Sequence, residues 1–551
     1  MNLRPLVDRI STQPRQPWLL AGLLLAGLLL AFGISAPTGL TGKDEYFLGL
    51  RIPLEMIEHD NWWIPFIDGA PRLRKPPFVY WLTRLSYEAF GPSLLSARLV
   101  TVAFALLLLG ATAWLGRLFS GKWLSGLLAA GVMLGFAGMA TEARRLMLDV
   151  PVAALSTSAF CFYLAWLGRP RWPLLIGAAA LLAAALMTKG PVAVIAFGSG
   201  VLAFWLTPAQ FRQALLGANA SSALAHLRRQ APAYLACALL AVALPAYWYW
   251  DVAHSFPQQF AAAAQNEIEE RGAGSLSFIP LSGLLLLTLP WTFIGLAALI
   301  RQRARPEIRF FGLWLLISLL PFFFIRSFER YLIGALPAFA LLCAWGLQQG
   351  LAARWPARLG AIFPLLIGSV LLALLWRWGH FLPALTLGTA LAAFGTIWFR
   401  AQHNGAMILA AALLWPVFWG IGFPALGVNA VPAALIDLAR SRDVYLYDGP
   451  QPALLPILTR RTLRHVHKID GRLAAGSLVT ARAEDAPRLQ QELAAAQVST
   501  REIYRYSALT SAGSGIRFAH QGATSEDWKT AWKEHDPQAL TSTILVYEVR
   551  P

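Results

Sequence analysis

The stretch SLLSARLVTVAFALLLLGATAWLGR, residues 93–117, decides the class of fold. A helix needs roughly 20 mainly apolar residues to cross a bilayer, and this run exceeds that. Working outward, comparable runs occupy 17–36, 122–140, 151–167, 172–187, 189–207, 233–250, 279–300, 309–325, 331–348, 357–376, 380–399 and 405–425. The pair 172–187 and 189–207 is short and meets at Thr188-Lys189-Gly190-Pro191, which reads as a tight turn near one face. The expectation is an all-α polytopic membrane protein with about 13 spanning helices.

Composition points the same way. Of 551 residues, 57% are hydrophobic and only 14% charged, with a mean hydropathy of +0.53. A soluble globular domain carries roughly 25% charge, so this chain has more apolar surface than one core can hide. The 22 Trp residues suit membrane interfaces, where the ring is apolar and the N–H is wet. The net charge of +17 would suggest nucleic acid in a soluble chain, but the cations fall mainly between apolar runs, where they set orientation. Nucleic acid is therefore not a partner. Cys161, Cys237 and Cys343 lie inside spans without ligand spacing and read as packing residues. The run Trp18 to Phe32 follows Arg4, Arg9 and Arg15 without a clear cleavage site, so it reads as an uncleaved anchor.

With the N-terminus in the cytoplasm, the basic segments Arg117/Lys122, Arg169/Arg171, Arg212 to Arg229, Arg301 to Arg309, Arg354/Arg358 and Arg400 all become cytoplasmic. The carboxylates gather in the opposite loops. An odd number of spans then puts the C-terminal region outside, in the periplasm of a bacterial inner-membrane protein. Residues 1–426 form the transmembrane unit, and 427–551 read as a small α/β domain. Its strands are Val444 to Tyr447, Ser477 to Ala481, Ile503 to Tyr506 and Ile544 to Val549, with a helix from Arg488 to Ala496.

The outward loop 37–92 carries most of the chemistry. Asp44 and Glu45 open it, and Phe47, Leu50, Leu54 and Ile57 follow at helical spacing, which predicts an amphipathic helix on the membrane surface. Carboxylates at a helix start are also favoured by the dipole alone. Arg72, Arg74 and Lys75 are compressed beside Pro76 and Pro77, which stiffen the backbone. Cations fixed at the headgroup layer suit phosphate, and an unspecific headgroup anchor is the plain alternative. Other outward loops add Arg144, Arg145 and Asp149, then Glu267, Glu269 and Glu270, then Arg330 and Tyr331. Asp149 at the start of a span needs a partner, such as one of those arginines or Lys189.

Asp44-Glu45-Tyr46, Asp60-Asn61-Trp62 and Lys75-Pro76-Pro77-Phe78-Val79-Tyr80-Trp81, followed by Leu148-Asp149, Thr188-Lys189-Gly190 and Arg330-Tyr331, resemble the GT-C glycosyltransferases. The bacterial branch with lipid A aminoarabinose transferase and relatives of protein O-mannosyltransferase is the most similar. The resemblance covers roughly residues 37–340. It implies a sugar donor carried on a polyprenyl phosphate such as undecaprenyl phosphate, and transfer with inversion to lipid A or another envelope glycolipid, glycan or protein. It implies catalytic roles for Asp44, Glu45 and Asp149, with Asp44 foremost. Donor phosphate would fall to Arg72, Arg74, Lys75, Lys189, Arg330 and Tyr331, and the acceptor or cavity wall to Tyr46, Tyr80, Glu267 and Glu270. The aminoarabinose transferases carry Phe-Glu-Lys-Pro where this chain has Leu73-Arg74-Lys75-Pro76, and a His in the later loop where this chain has Asn266 to Glu270. Without that Glu and His no metal is expected, and Arg74 is expected to pair with Glu267 or Glu270. The chain is expected to act as a monomer among membrane lipids. A transporter or flippase of a lipid-linked sugar, and a non-enzymatic envelope-binding protein, are the competing readings.

Overall fold

The computed structural model describes residues 17–36, 45–216, 223–271, 276–351, 355–400, 403–449, 451–469, 473–511, 518–520 and 522–550. Among the described residues, nine helices are long and apolar enough to cross a membrane. A bent pair, Ile279–Leu287 with Thr292–Arg301 at 112°, makes a tenth, and Ala21–Ala31 and Trp123–Leu134 are shorter apolar helices. The chain is a multi-pass membrane protein.

Leu94–Ser120 starts where Ser93 accepts the Ser96 N–H at 3.1 Å and ends at Gly121, whose φ of 76° is the left-handed cap that glycine favours. The chain then reverses, and the two helices meet at small residues. A Cβ on Gly126 would lie 2.1 Å from the Ala113 carbonyl oxygen. Close backbone approach through glycine is a common way for helices to associate in lipid. The next span, Asp149–Gly168, is apolar on every side and buried over 94% of its spanning window, so it is the central post of the bundle.

The segment Trp172–Leu206 is nominally one 35-residue helix, but Lys189 has the non-helical angles φ −159°, ψ 76°. Pro191 follows, without an N–H to give. Both arms lie along the central post. Gly177 faces Phe162 and Gly200 faces Phe160, while Ser156 Oγ donates to the Ala193 carbonyl at 3.5 Å. The segment is therefore a helical hairpin with Lys189 at its tip, which is the turn expected between two short spans. Among the described residues the count is thus nine spanning helices, or ten with the bent pair, below the thirteen expected. The hairpin merges two of the expected spans, and the shorter helices Ala21–Ala31 and Trp123–Leu134 stand where two more were expected.

The first loop is folded throughout its described part. Tyr46–Leu50 is a π-helical turn that runs into Arg51–Glu58. Strands β1 (Phe66–Ile67) and β2 (Ala70–Pro71) form a hairpin through Asp68 and Gly69, at φ 54° and 73°, the mirror-image turn that suits strand twist. Helix Phe78–Phe90 closes the loop. Arg51–Glu58 does not lie on the membrane surface as its pattern predicts. Arg51 to Met56 are all buried, because the C-terminal domain covers the polar face and supplies partners for it.

That domain holds a five-stranded sheet ordered β4-β3-β5-β7-β6. The strands are β3 (Val444–Tyr447), β4 (Arg464–Val466), β5 (Leu478–Arg482), β6 (Thr500–Ala508) and β7 (Ser542–Val549). β3 runs parallel to β4 and β5, and β7 pairs antiparallel with β5 and β6. Helix Ala486–Ala495 covers one face through Leu489 and Leu493, and helix Ala433–Arg440 covers the other through Leu435 and Ala439. A further helix, Ser525–Glu534, rests on the last spans. Arg377 Nε donates to the Trp532 carbonyl at 2.6 Å.

Candidate active site

Asp44, the foremost catalytic candidate, lies outside the described residues. Its neighbour Glu45 is fully buried. Arg98, from the span that opened the sequence reading, grips both carboxylate oxygens at 2.9 Å, and the Leu146 N–H donates to one of them at 2.9 Å. Burial pushes the Glu45 carboxyl up, but Arg98 outweighs it and holds the group below its ordinary value. With its oxygens so occupied, Glu45 ties the first loop to the bundle through Arg98 and Leu146. Tyr46 is also buried, with its ring 5.7 Å from that of His465 under the C-terminal domain.

Asp149, Lys189, Arg330 and Tyr331 come together. Lys189 Nζ is 2.6 Å from Asp149 Oδ1, and Arg330 Nε is 3.4 Å from Oδ2. The lysine also sits 3.6 Å from the Tyr331 ring centroid, a cation–π contact in a desolvated setting. All four side chains are less than one tenth exposed. The hairpin turn makes this possible, since it presents Lys189 at the level where the central post begins. Arg330 arrives on the short 3-10 turn Glu329–Ala335.

The basic cluster of the first loop sits over this tip. Ile64 and Leu73 share one apolar cluster with Met187, beside Lys189, and with Trp248 and Val252. Trp63 Nε1 donates to Asp251 at 2.8 Å. Helix Pro257–Arg271 then brings its carboxylates to the cations. Lys75 Nζ is 2.8 Å from Glu267, and Arg74 is 2.7 Å from Glu270 and 3.6 Å from Glu267. The expected pairing of Arg74 is thus present. Arg72 sits beside the buried Tyr80 hydroxyl, whose pKa burial pushes up to about 12 against the pull of Arg72.

Three charged residues, Arg98, Glu142 and Arg145, received no catalytic or binding role from the sequence. Glu142 and Arg145 flank the site and pair with each other at 3.3 Å, both nine-tenths buried or more. Arg145 is in electrostatic range of Glu45, and Glu142 of Arg330 and Asp149. Signs alternate from Arg98 through Glu45, Arg145, Glu142, Arg330 and Asp149 to Lys189. The signal available in the sequence was the crowding of Glu142, Arg144, Arg145 and Asp149 into one short loop.

A family model described as dolichyl-phosphate-mannose-protein mannosyltransferase matches residues 50–256. The undecaprenyl phosphate-alpha-4-amino-4-deoxy-L-arabinose arabinosyl transferase of Yersinia pestis (strain Pestoides F) is 26% identical over 354 residues, covering 60% of this chain and 58% of that protein. The Proteus mirabilis (strain HI4320) arabinosyl transferase 1 is 26% identical over 342 residues, covering 60% and 59%. The match thus spans less than two thirds of the length of these curated relatives. Among solved structures, ArnT from Cupriavidus metallidurans in the apo state superposes with a TM-score of 0.68 at 17% identity, covering 89% of this chain and 96% of that one. Its form bound to undecaprenyl phosphate gives 0.67 at 16%, covering 97% and 98%. This chain therefore has the GT-C fold of ArnT and is similar in sequence to membrane arabinosyl- and mannosyltransferases.

Proposed function

We propose that the chain is an integral membrane glycosyltransferase that moves a sugar from a polyprenyl-phosphate carrier to an acceptor outside the bacterial inner membrane. The observation that carries this reading is the buried Asp149, held between Lys189 and Arg330 at the tip of a membrane hairpin and roofed by a loop with three cations. A lipid-borne phosphate sugar reaches such a site sideways from the bilayer. The names of the relatives, which carry undecaprenyl phosphate, support the same donor class.

In this reading the acceptor hydroxyl attacks the anomeric carbon and its proton passes to the Asp44 carboxylate, which acts as general base. The bond from the anomeric carbon to the phosphate oxygen breaks, and its electron pair stays with the lipid phosphate. Arg72, Lys75 and Arg330 offset that growing charge. One displacement inverts the anomeric centre. For an ionised phosphate acceptor, Asp44 orients the nucleophile instead. No metal is called for, because Arg74 forms ion pairs with Glu267 and Glu270 in the roof of the site. The C-terminal domain is periplasmic, the acceptor is an envelope glycolipid, glycan or protein, and the chain works as a monomer.

The test incubates the purified protein with radiolabelled polyprenyl-phosphate sugars and envelope acceptors, comparing wild type with Asp44→Asn. Transfer by the wild type and its loss in the variant support the reading. Unchanged transfer in the variant removes Asp44 from the mechanism, and no consumption of any donor overturns the function.

A further inference from the structure

The guanidinium of Arg145 is 2% exposed, yet among the described residues its one hydrogen bond to a side chain is the 3.3 Å contact with Glu142. Its Nε and Nη2 have no partner among the described residues, and neither has the second oxygen of Glu142. A buried guanidinium is always charged and carries five N–H donors, and leaving them unmatched costs more than almost any other buried defect. The neighbouring Arg144 is different. Its Nη1 donates to the Phe32 carbonyl and its Nη2 to the Leu29 carbonyl at 3.1 Å, so it serves the packing of the first helix.

Arg145 also sits between the two halves of the site. Leu146, the next residue, donates its N–H to Glu45, the residue beside Asp44. On the other side Glu142 is within electrostatic range of Arg330 and Asp149. Lys75 and Arg74, two of the cations that sequence reasoning gave to phosphate, also pair with Glu267 and Glu270, which leaves part of the phosphate charge to a further donor. Resting on the glycosyltransferase reading, we infer that Arg145 binds the phosphate of the lipid-linked donor through Nε and Nη2, with Glu142 holding the guanidinium in place. The two parallel N–H groups of an arginine match two phosphate oxygens, and the contact strengthens as the sugar leaves and charge gathers on the phosphate.

The experiment measures binding of undecaprenyl phosphate, with undecaprenol as the phosphate-free control, to the full chain in nanodiscs. Arg145→Ala should weaken the phosphate lipid roughly 10- to 100-fold, the range for a charge-assisted contact, and leave undecaprenol unchanged. Arg145→Lys should recover part of that loss. Arg144→Ala should lower Tm without changing the affinity of the lipid, which separates packing from binding. Wild type that does not bind the phosphate lipid counts against the glycosyltransferase reading itself. Wild type that binds, with Arg145→Ala binding equally well, overturns the assignment of Arg145 alone.

Discussion

Lys189 Nζ lies 2.6 Å from Asp149 Oδ1 across 40 residues of sequence, and both side chains are buried. Removing one member of an isolated buried pair costs about 3–5 kcal/mol, and Arg330, 3.4 Å from the other oxygen of Asp149, offsets part of that loss here. Lys189→Met should therefore destabilise the protein by less than that full cost and abolish transfer. Adding Asp149→Asn should recover part of the stability and none of the transfer. A double variant as unstable as the sum of the singles would mean that the two residues do not act as a pair.

Arg74 and Glu270 are a different kind of pair, 23% and 62% exposed at the side chain. Exposed pairs contribute about 0–1 kcal/mol, so Arg74→Glu should barely move Tm. It should nonetheless abolish transfer, because a carboxylate would then face Glu267 and Glu270 where the roof meets the donor. Arg74→Glu combined with Glu270→Arg should restore activity. An inactive double variant with normal folding removes the idea of a charge swap.

The approach of Gly49 to Leu146 fixes the distance between the first loop and the Asp149 loop. A Cβ at Gly49 would fall 2.2 Å from the Leu146 carbonyl oxygen, which is backbone and cannot turn aside. Gly49→Ala should destabilise the protein by about 1–3 kcal/mol and lower kcat by separating Glu45 from Leu146. Unaltered melting and turnover would show that this contact does not govern the site.

Acid should loosen the junction between the first loop and the C-terminal domain. Asp68 accepts the His465 N–H at 3.0 Å and pairs with Arg51 and the His465 ring. Burial raises the Asp68 carboxyl, but the His465 and Arg51 contacts hold it at about 2. Its contribution is complete above the ordinary carboxylate value and is lost as pH falls toward 2. Burial, aided by Arg51 and opposed by Asp68, lowers His465 from its ordinary 6.5. Folding thus favours the neutral imidazole, and stability declines as pH drops below about 6.5. The opening equilibrium of β3 and β4, read from hydrogen exchange after division by the intrinsic amide rate at each pH, should rise as pH falls from 7 to 5, and His465→Gln should flatten that rise. An opening equilibrium that is independent of pH in the wild type would count against the junction as a titrating contact.

Much of this fold was legible because bilayers impose length and composition on each span. The Thr188–Pro191 break was readable for the same reason: a cation and a proline between two apolar runs have few places to go. The covering of Arg51–Glu58 was not readable, since its amphipathic pattern is the same whether lipid headgroups or a distant domain meet the polar face. Strand β4 is only three residues long, Arg464 to Val466, and shows no alternation to detect. Glu45 looked chemically equal to Asp44 until Arg98 appeared opposite it, and Arg98 in the sequence is merely one charge within an apolar helix. Hydropathy locates such residues and says nothing of their partners.

The contact between Glu58 and Thr462 also sets a schedule. Glu58 accepts the Thr462 N–H at 3.0 Å, and 404 residues separate them. At about 5–20 residues per second of synthesis, the ribosome needs roughly 20–80 s after making the first loop before its covering strand exists. Through that interval the acidic and basic groups of the loop stand uncovered beside a half-built bundle. The junction between the first loop and the C-terminal domain therefore closes last, when the tail of the chain folds back over its beginning, and a nascent chain halted before that point carries the described spans with that face of the loop uncovered.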